Sequence, residues 1–478
     1  MESNLPDWLS EIHDCAFENC KSLKNIVFPE YLYKIGRCAF KNCTALESFK
    51  FSKELYSIGE SAFENCSSLN EAIIYKNVEI VGKNAFYGAS ALETVSFEAG
   101  SACESIPENA FRDCSSLKSI TLPDALLNID SFAFYNCASL EAINMPDSVV
   151  SVGISAFEGC SSAETIKISS SLATLSDRLF FGSGVKDLVV PETVVSLGTE
   201  VFAESKDMVS VNTGNTITKI PANTFSGCSS LKDVTIGTAV NSVDDYAFQN
   251  CSSIEEIIIP ENVLAMGEGV FEGCSSLKKI DLSSKLTTIK ASWFAGCTAL
   301  EDVDLADVTV IENGAFKDCA NLKEITLPAG ITDISKETLE GLTGLEKIVL
   351  SDSIKEIPDE TFKGLSNLET VVIGSGVTTI GANAFAGTAI KTLVIPDNVT
   401  TLDVNAFKGM EYIEEIVLGA GITEIPAEMF KGLATLKTVV IGKNVVSIGA
   451  NAFDGTAITT LDIPDSVTTL DVNAFKGM

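Results

Sequence analysis

Apolar and polar residues alternate along this chain in short bursts, and the bursts return at a fixed interval. In Leu117-Lys118-Ser119-Ile120-Thr121-Leu122-Pro123 the alternation is that of a half-buried strand, with Ile120 and Leu122 inward and Ser119 and Thr121 outward. Pro29, Pro146, Pro191, Pro260, Pro328, Pro396 and Pro464 recur at the phase of Pro123. Proline cannot donate to a strand ladder, so the chain turns there. A second apolar pair, Leu126 and Ile129, marks a short return strand; Ile58, Ile220, Ile380 and Ile448 are counterparts of Ile129. The residue after that isoleucine is Gly59, Pro107, Asp130 or Ser176 in different repeats. These are helix-entry types, and they predict a turn or two of helix carrying Ala133-Phe134 with the ring inward. Two residues past the phenylalanine stand Asn19, Asn42, Gly88, Asp113 and Gly159, the set expected where φ is positive at a helix C-terminus. Glu204 departs from the set and predicts a local irregularity.

The phenylalanine keeps time. It stands at 17, 40, 63, 86, 111, 134 and onward to 475 in steps of 22 or 23, with one step of 25 from Phe86 to Phe111 and Leu339 substituting once. A fixed period in this range means stacked units that contact only their neighbours. The chain is therefore expected to be a single α/β-type repeat solenoid over 1–478, with about 21 repeats. A parallel β-sheet would line the concave face, with short helical turns and return strands on the other side. About twenty rungs at ~4.8 Å each would form an arc. Leu5-Pro6-Asp7 aligns with Leu122-Pro123-Asp124, and Ala474-Phe475-Lys476 opens another unit at the far end. Both ends thus fall inside a repeat, and because arrays need polar caps the sequence reads as a fragment, or as a chain whose ends meet other copies. Repeats close in Asn-Cys or Gly-Cys up to about residue 320, and in Gly-Leu, Gly-Thr or Gly-Met beyond it. Residues 360–410 and 428–478 match at roughly three positions in four, an internal duplication.

Composition narrows the function classes. A net charge of −32 argues against nucleic acid, whose phosphates call for lysine and arginine, and against an anionic membrane surface. No apolar run approaches the ~18 residues of a membrane span, and Met1-Glu2-Ser3-Asn4 does not open a signal peptide. Of 14 cysteines, eleven sit three residues after the clock position, among them Cys43, Cys66, Cys137 and Cys319. Leu342, Thr388 and Met410 take the same slot elsewhere, so it reads as a small buried position holding free thiols. His13 is the only histidine and no paired CxxC exists, which leaves little for zinc or for histidine-based catalysis. No phosphate loop, GxSxG elbow or HExxH is present. Neither a catalytic residue nor a cofactor is expected.

Leu140-Glu141-Ala142-Ile143-Asn144-Met145-Pro146, then Val149, Val152-Gly153 and Ala156-Phe157-Glu158-Gly159-Cys160, nearly spell out one full unit. That unit resembles the BspA-like leucine-rich repeat, also seen in treponemal repeat proteins, and the match covers essentially the whole chain. The resemblance implies a leucine-rich-repeat arc. It also implies a surface or secreted protein that serves as an adhesin or binding scaffold, with no catalytic residues to carry over.

A solenoid of this kind binds on its strand face, and two windows stand out there. Glu256, Asp281, Asp302, Asp304 and Glu324 gather carboxylates over four adjacent rungs, with Lys279 among them. Such a group would attract a cationic protein segment or Ca²⁺, although on so acidic a chain it is also ordinary solvated surface. Val349, Val372, Val394, Val417 and Val440 form a β-branched column flanked by Thr370, Thr392 and Thr438, an apolar stripe of the kind partners use. Simple β-propensity explains the same column without a partner. Trp293 reads as an exposed anchor or as filler on the return side. The expected partner is a protein or glycan on the concave face. A structural spacer or self-assembling rod, with end-to-end contacts between copies, is the other reading.

Overall fold

The computed structural model describes residues 2–478, with side chains from Leu5 onward. The chain forms two compact units, Met1–Ile254 and Glu255–Met478. Each is a β-solenoid in which most repeats supply one strand of about three residues and one return strand of two. In the first unit the longer strands include Asn25–Val27, Glu71–Ile74, Thr94–Phe97 and Ser119–Thr121. They pair in parallel with the register of one repeat, Ser119 opposite Thr94 and Ile120 opposite Val95. The return strands, such as Lys34–Ile35 and Ser57–Ile58, make a second parallel sheet. The second unit repeats the scheme with Glu256–Ile258, Lys279–Asp281 and their successors.

The interior follows the sequence pattern. Asp187–Val189 is exposed, buried, exposed, and the return-strand isoleucines Ile58, Ile220, Ile380 and Ile448 are fully buried. The clock phenylalanines stack face to face along each unit. Centroids lie 5.3 Å apart between Phe111 and Phe134 and 5.1 Å between Phe134 and Phe157, with planes within 5°. No single repeat could bury such a ring on both faces, which is why the unit of stability is the stack.

The expected helical turns are not there: among the described residues the segment around each phenylalanine is a run of tight turns. The hydrogen bonds give the reason. The N–H groups of Cys38, Phe40 and Asn42 leave their rung and donate at 2.8 Å to the carbonyls of Glu60, Ala62 and Glu64 on the next one. The alternate N–H groups, of Ala39, Lys41 and Cys43, donate three residues back to Gly36, Cys38 and Phe40. A helix would keep every one of these bonds within its own segment; here half of them tie rung to rung. Two left-handed residues set the alternation, Asn42 at φ 61° and Cys38 at φ 54°. The first belongs to the Asn/Gly set that the sequence displays. The second phase holds Asn84, Asn109, Asn223, Gly269, Gly314 and Asn383 in some rungs and Ser61, Phe132, Arg178, Glu200 and Tyr246 in others, so its bias toward Asn and Gly is weaker than at the first. Each such residue costs about 1–2 kcal/mol of backbone strain, offset by the bonds it directs to the neighbouring rung.

Glu204 corrects the expectation of an irregular rung. It takes the same left-handed conformation as its counterparts, φ 59°, and its N–H donates normally to Ser226 at 2.7 Å. Residues one place past the expected helix entries also work between rungs: the Asp177 carboxylate accepts the N–H of Thr199 at 2.7 Å, and Asp359 that of Ala382 at 2.7 Å. Chemistry that usually caps a helix here caps the next turn of the solenoid.

All fourteen cysteines are free thiols. In the repeated slot the thiol donates to the carbonyl of the preceding rung's phenylalanine, Cys43 to Phe17 at 3.1 Å and Cys137 to Phe111 at 3.1 Å. Burial pushes these thiols up, Cys43 to about 11 and Cys160 to about 12. Cys15 and Cys20 are exposed. Trp293 is buried at 1% exposure, its indole N–H donating to the Gly267 carbonyl and its ring edge-on to Phe294. It is filler and not an exposed anchor.

Candidate binding surface on the strand face

Each longer strand offers two outward positions, and parallel pairing converts these into columns that run from rung to rung. The acidic window is divided by that register. Glu256 stands opposite Lys279, and Lys279 opposite Asp302, so one column alternates acid, lysine, acid. Asp281 belongs to the other column, opposite Ile258. Asp304 lies just past its strand and accepts the N–H of Ala306 at 2.9 Å. Glu324 is ion-paired to Lys347 at 2.6 Å, with both side chains largely in solvent. Asp302, Asp304 and Glu324 do come together around an open cleft of about 590 Å³, floored by Val303, Leu305 and Ile325. Among the described residues no three His, Cys, Asp or Glu side chains converge as a metal ion requires, so nothing in the geometry favours the Ca²⁺ reading.

The valine column is real as geometry. Val349 stands opposite Val372, and Val394, Val417 and Val440 stand opposite one another in turn, in two three-stranded sheets. Val372, Val394 and Val440 are exposed, whereas Val349 and Val417 are half-buried by their neighbours. Thr370, Thr392 and Thr438 line the adjacent column together with Lys347 and Glu415. The stripe is thus narrow and bordered by polar side chains.

A third feature of this face escaped the sequence reading. Among the described residues of the first unit, 48–50 is the one rung whose first segment is not a strand. Only an isolated bridge, Asn25 to Ser48, joins it to Asn25–Val27. In several other rungs the residue after the strand donates onward, Met145 to Lys167 at 3.1 Å and Val190 to Asn212 at 2.9 Å, although Leu122 and Ile373 do not. The matching bonds from Phe28 to Lys50 and from Phe51 to Ile73 are not formed. This rung is also crowded. Phe49 occupies a strand-centre position that holds Ile26, Ile120 and Ile143 in other rungs. Its ring lies 4.7 Å from the spine ring of Phe63, 4.7 Å from Phe51 and 5.5 Å from Phe28. Four aromatic rings exceed what this layer holds, and overpacking displaces backbone. The result is a cleft of about 950 Å³ on the strand face, lined by Val27, Phe28, Phe49, Phe51, Ile73 and Tyr75. The visible signal was Phe49 followed one rung later by the small Ala72 at the same phase.

Among the described residues, no helix is long and apolar enough to cross a membrane. Comparison with known proteins bears on the repeat. The family model described as "BspA type Leucine rich repeat region (6 copies)" matches residues 1–102, 96–209, 196–309, 305–414 and 404–478. Solved structures similar to this chain include a leucine rich cell surface protein from Faecalibacterium prausnitzii A2-165, 22% identical, covering 78% of this chain and 87% of its own, with a TM-score of 0.36. A leucine-rich repeat protein from Bacteroides ovatus ATCC 8483 is 18% identical over 98% of this chain and 92% of its own, with a TM-score of 0.33. The pneumococcal vaccine antigen PcpA is 15% identical over 85% and 84%, with a TM-score of 0.28. No curated protein matches the chain.

Proposed function

Because the chain belongs to the BspA-type leucine-rich repeat family, we propose that it is a non-catalytic binding scaffold whose strand face recognises a protein or glycan. The setting that the family resemblance implies is the cell surface or the extracellular space, with a host molecule as ligand. One observation carries the reading: the interior is nearly uniform from rung to rung, while outside the valine column the outward strand positions change residue type from one rung to the next. Val189, Asn212, Thr235, Ile258 and Asp281 occupy one outward phase in successive rungs, and Val189 and Ile258 are 69% and 68% exposed. Packing needs no such variety, whereas a surface selected for a particular partner does.

The test is binding of the purified chain to an array of matrix proteins, cell surfaces and glycans. Asp302→Lys/Asp304→Lys and Val394→Lys/Val417→Lys are run beside it after circular dichroism shows both folded. A ligand lost in one variant supports recognition on this face and identifies the window. A ligand retained by both removes the two windows. No ligand at all, together with concentration-dependent self-association in sedimentation, overturns recognition in favour of a self-assembling rod.

A further inference from the structure

We infer that Cys15 and Cys38 are a disulfide-forming pair, a covalent modification site that ties one rung to the next when a small disulfide such as oxidised glutathione is the oxidant. The site lies apart from the strand face and does not depend on what that face binds. The two cysteines stand at one phase on adjacent rungs, two residues before Phe17 and Phe40. Both take the left-handed conformation, φ 57° and 54°, so their Cα–Cβ bonds leave the turn ribbon in the same direction. The Cys15 N–H donates at 2.8 Å to the carbonyl of Arg37, next to Cys38, which holds the two backbones together. Same-phase side chains meet just beyond the pair. The ring centroids of Phe17 and Phe40 are 5.0 Å apart, and Asn42 Nδ2 donates to Asn19 Oδ1 at 3.0 Å. A separation near that of the rings lies inside the about 4.4–6.8 Å between Cα atoms that a disulfide spans. Its Cβ atoms stand about 3.5–4.5 Å apart, so closure draws the pair slightly together. Asp14, Cys15 and Ala16 are all exposed, and little packing resists that shift.

Access separates this pair from the other thiols. Cys15 is exposed and Cys38 half-buried, whereas every cysteine from Cys43 onward is buried. The slot thiols also stack from rung to rung, but Cys43, Cys66 and Cys137 each donate to a phenylalanine carbonyl and are closed to a reagent. Ser61 follows at the phase of Cys15 and Cys38, so the pair has no third member. Exposed Cys20 stacks on Cys43, which is buried. A hydrogen bond to the Glu18 carboxylate pushes the Cys15 thiol up, and Cys38 lies close enough to add to the effect. Closure proceeds by two exchanges. The Cys15 thiolate attacks the S–S bond of the reagent, forming a mixed disulfide and expelling one thiolate. The Cys38 thiolate then attacks the Cys15 sulfur, forming the protein S–S bond and expelling the second. Two protein thiols are oxidised to one disulfide, their protons pass to the expelled thiolates, and the reagent leaves as two thiols.

The experiment equilibrates the full chain with oxidised glutathione in excess over reduced, in a Cys20→Ser background that copies Ser183 at the same slot. Acid quenching, alkylation, proteolysis and mass spectrometry then locate the bonds. The expected product is a peptide pair joined through Cys15 and Cys38, lighter by two hydrogens than the reduced pair and released by dithiothreitol. Cys15→Ser and Cys38→Ser should each abolish the link and leave a single glutathione adduct on the remaining thiol. Amide exchange across 11–19 should slow by about tenfold or more on closure, because the rung of Cys15 no longer opens alone. Glutathione adducts on both cysteines, or two thiols that stay free for alkylation, would overturn the proposal, since either shows that the sulfurs do not meet. A link between two chains, seen as a dimer on a non-reducing gel, overturns it equally. A link within one chain that leaves exchange unchanged or faster overturns the tie between rungs, because closure then strains what it joins.

Discussion

The phenylalanine stack makes a quantitative prediction about how stability is distributed. Phe134 is fully buried, with one neighbouring ring 5.3 Å away and the other 5.1 Å, both nearly coplanar with it. Phe134→Ala removes the side chain and both stacking contacts. Core Phe→Ala changes cost about 3–5 kcal/mol, with each aromatic pair contributing about 0.5–1.5 kcal/mol of that. Phe134→Leu keeps most of the volume and loses mainly the stacking, so about 1–2 kcal/mol is expected. The sharper quantity is coupling. Phe134→Leu combined with Phe157→Leu shares one lost contact, and the double mutant should fall short of additivity by about 0.5–1.5 kcal/mol. Phe134→Leu combined with Phe225→Leu, four rungs away in the same unit, should be additive within about 0.5 kcal/mol. Native-state hydrogen exchange with mass spectrometry reads the opening of individual rungs in the full chain and needs no two-state assumption. Strict additivity of the adjacent pair, or equal coupling of the distant pair, would refute the nearest-neighbour account of the stack.

Further outcomes follow from particular residues. Glu204→Gly should stabilise the chain by about 0.5–1 kcal/mol, since a left-handed residue with a Cβ is replaced by one without; a loss in urea unfolding would show that Glu204 earns its place by contacts. With eleven of fourteen thiols buried and Cys38 half-buried, a thiol reagent on the native chain should label Cys15 and Cys20 fast, Cys38 more slowly and the rest only in denaturant. Because burial raises Cys43 to about 11, its contribution is intact below the unfolded thiol's pKa of about 8.5 and is lost as pH rises toward 11; Cys43→Val should flatten that alkaline limb, measured between pH 8 and 10. Asp352 accepts both the N–H of Ser375 at 2.7 Å and its hydroxyl at 2.9 Å, and these bonds hold its carboxyl below the usual range. Its contribution is present above the unfolded carboxyl's pKa of about 3.9 and vanishes as pH falls through the lower folded value. Asp352→Asn, which copies Asn215 at the same phase accepting from Thr238, should make the acid limb shallower.

How much of this was legible in the sequence depended on whether one residue type was needed. Strand, proline turn, return strand and buried ring were readable because only apolar residues fill Ile129 or Phe134, and their period is visible over 21 repeats. The left-handed position of Asn42 was readable because asparagine and glycine concentrate there. Its conclusion was misdrawn, since positive φ after a phenylalanine fits a helix end and a turn ribbon equally well. What separates the two is the left-handed residue two places before the ring, and that phase accepts Phe132, Arg178, Glu200 and Tyr246. Asn84, Asn109, Asn223 and Gly269 share that phase, so a trace exists, but bonds to the neighbouring rung let bulky residues take the same conformation and dilute it. The windows on the strand face show the same limit. Register could be counted from the repeat, so the valine column stands where counting placed it. The acidic group was counted as a cluster, but Lys279 between Glu256 and Asp302, and Lys347 on Glu324, divide its charge.

Phe49 shows where period-based reading fails in kind. Averaging over repeats treats a phenylalanine at a strand-centre position as one more apolar residue, and the alternation is preserved. Volume is what differs: with Phe28, Phe51 and Phe63 already in the layer, the ring has no slot, and the strand that should carry it loses its ladder. An array maintained only for packing would be expected to trade such a residue for isoleucine, because copying supplies a well-packed rung at no cost. Phe28 and Phe51 stay buried, and only the Phe49 ring is half-buried, so the cost of keeping it falls on the ladder of its own rung. That substitution therefore bears on stability. Phe49→Ile should raise protection of 49–51 in hydrogen exchange and stabilise the chain; unchanged protection would refute the crowding account of this rung.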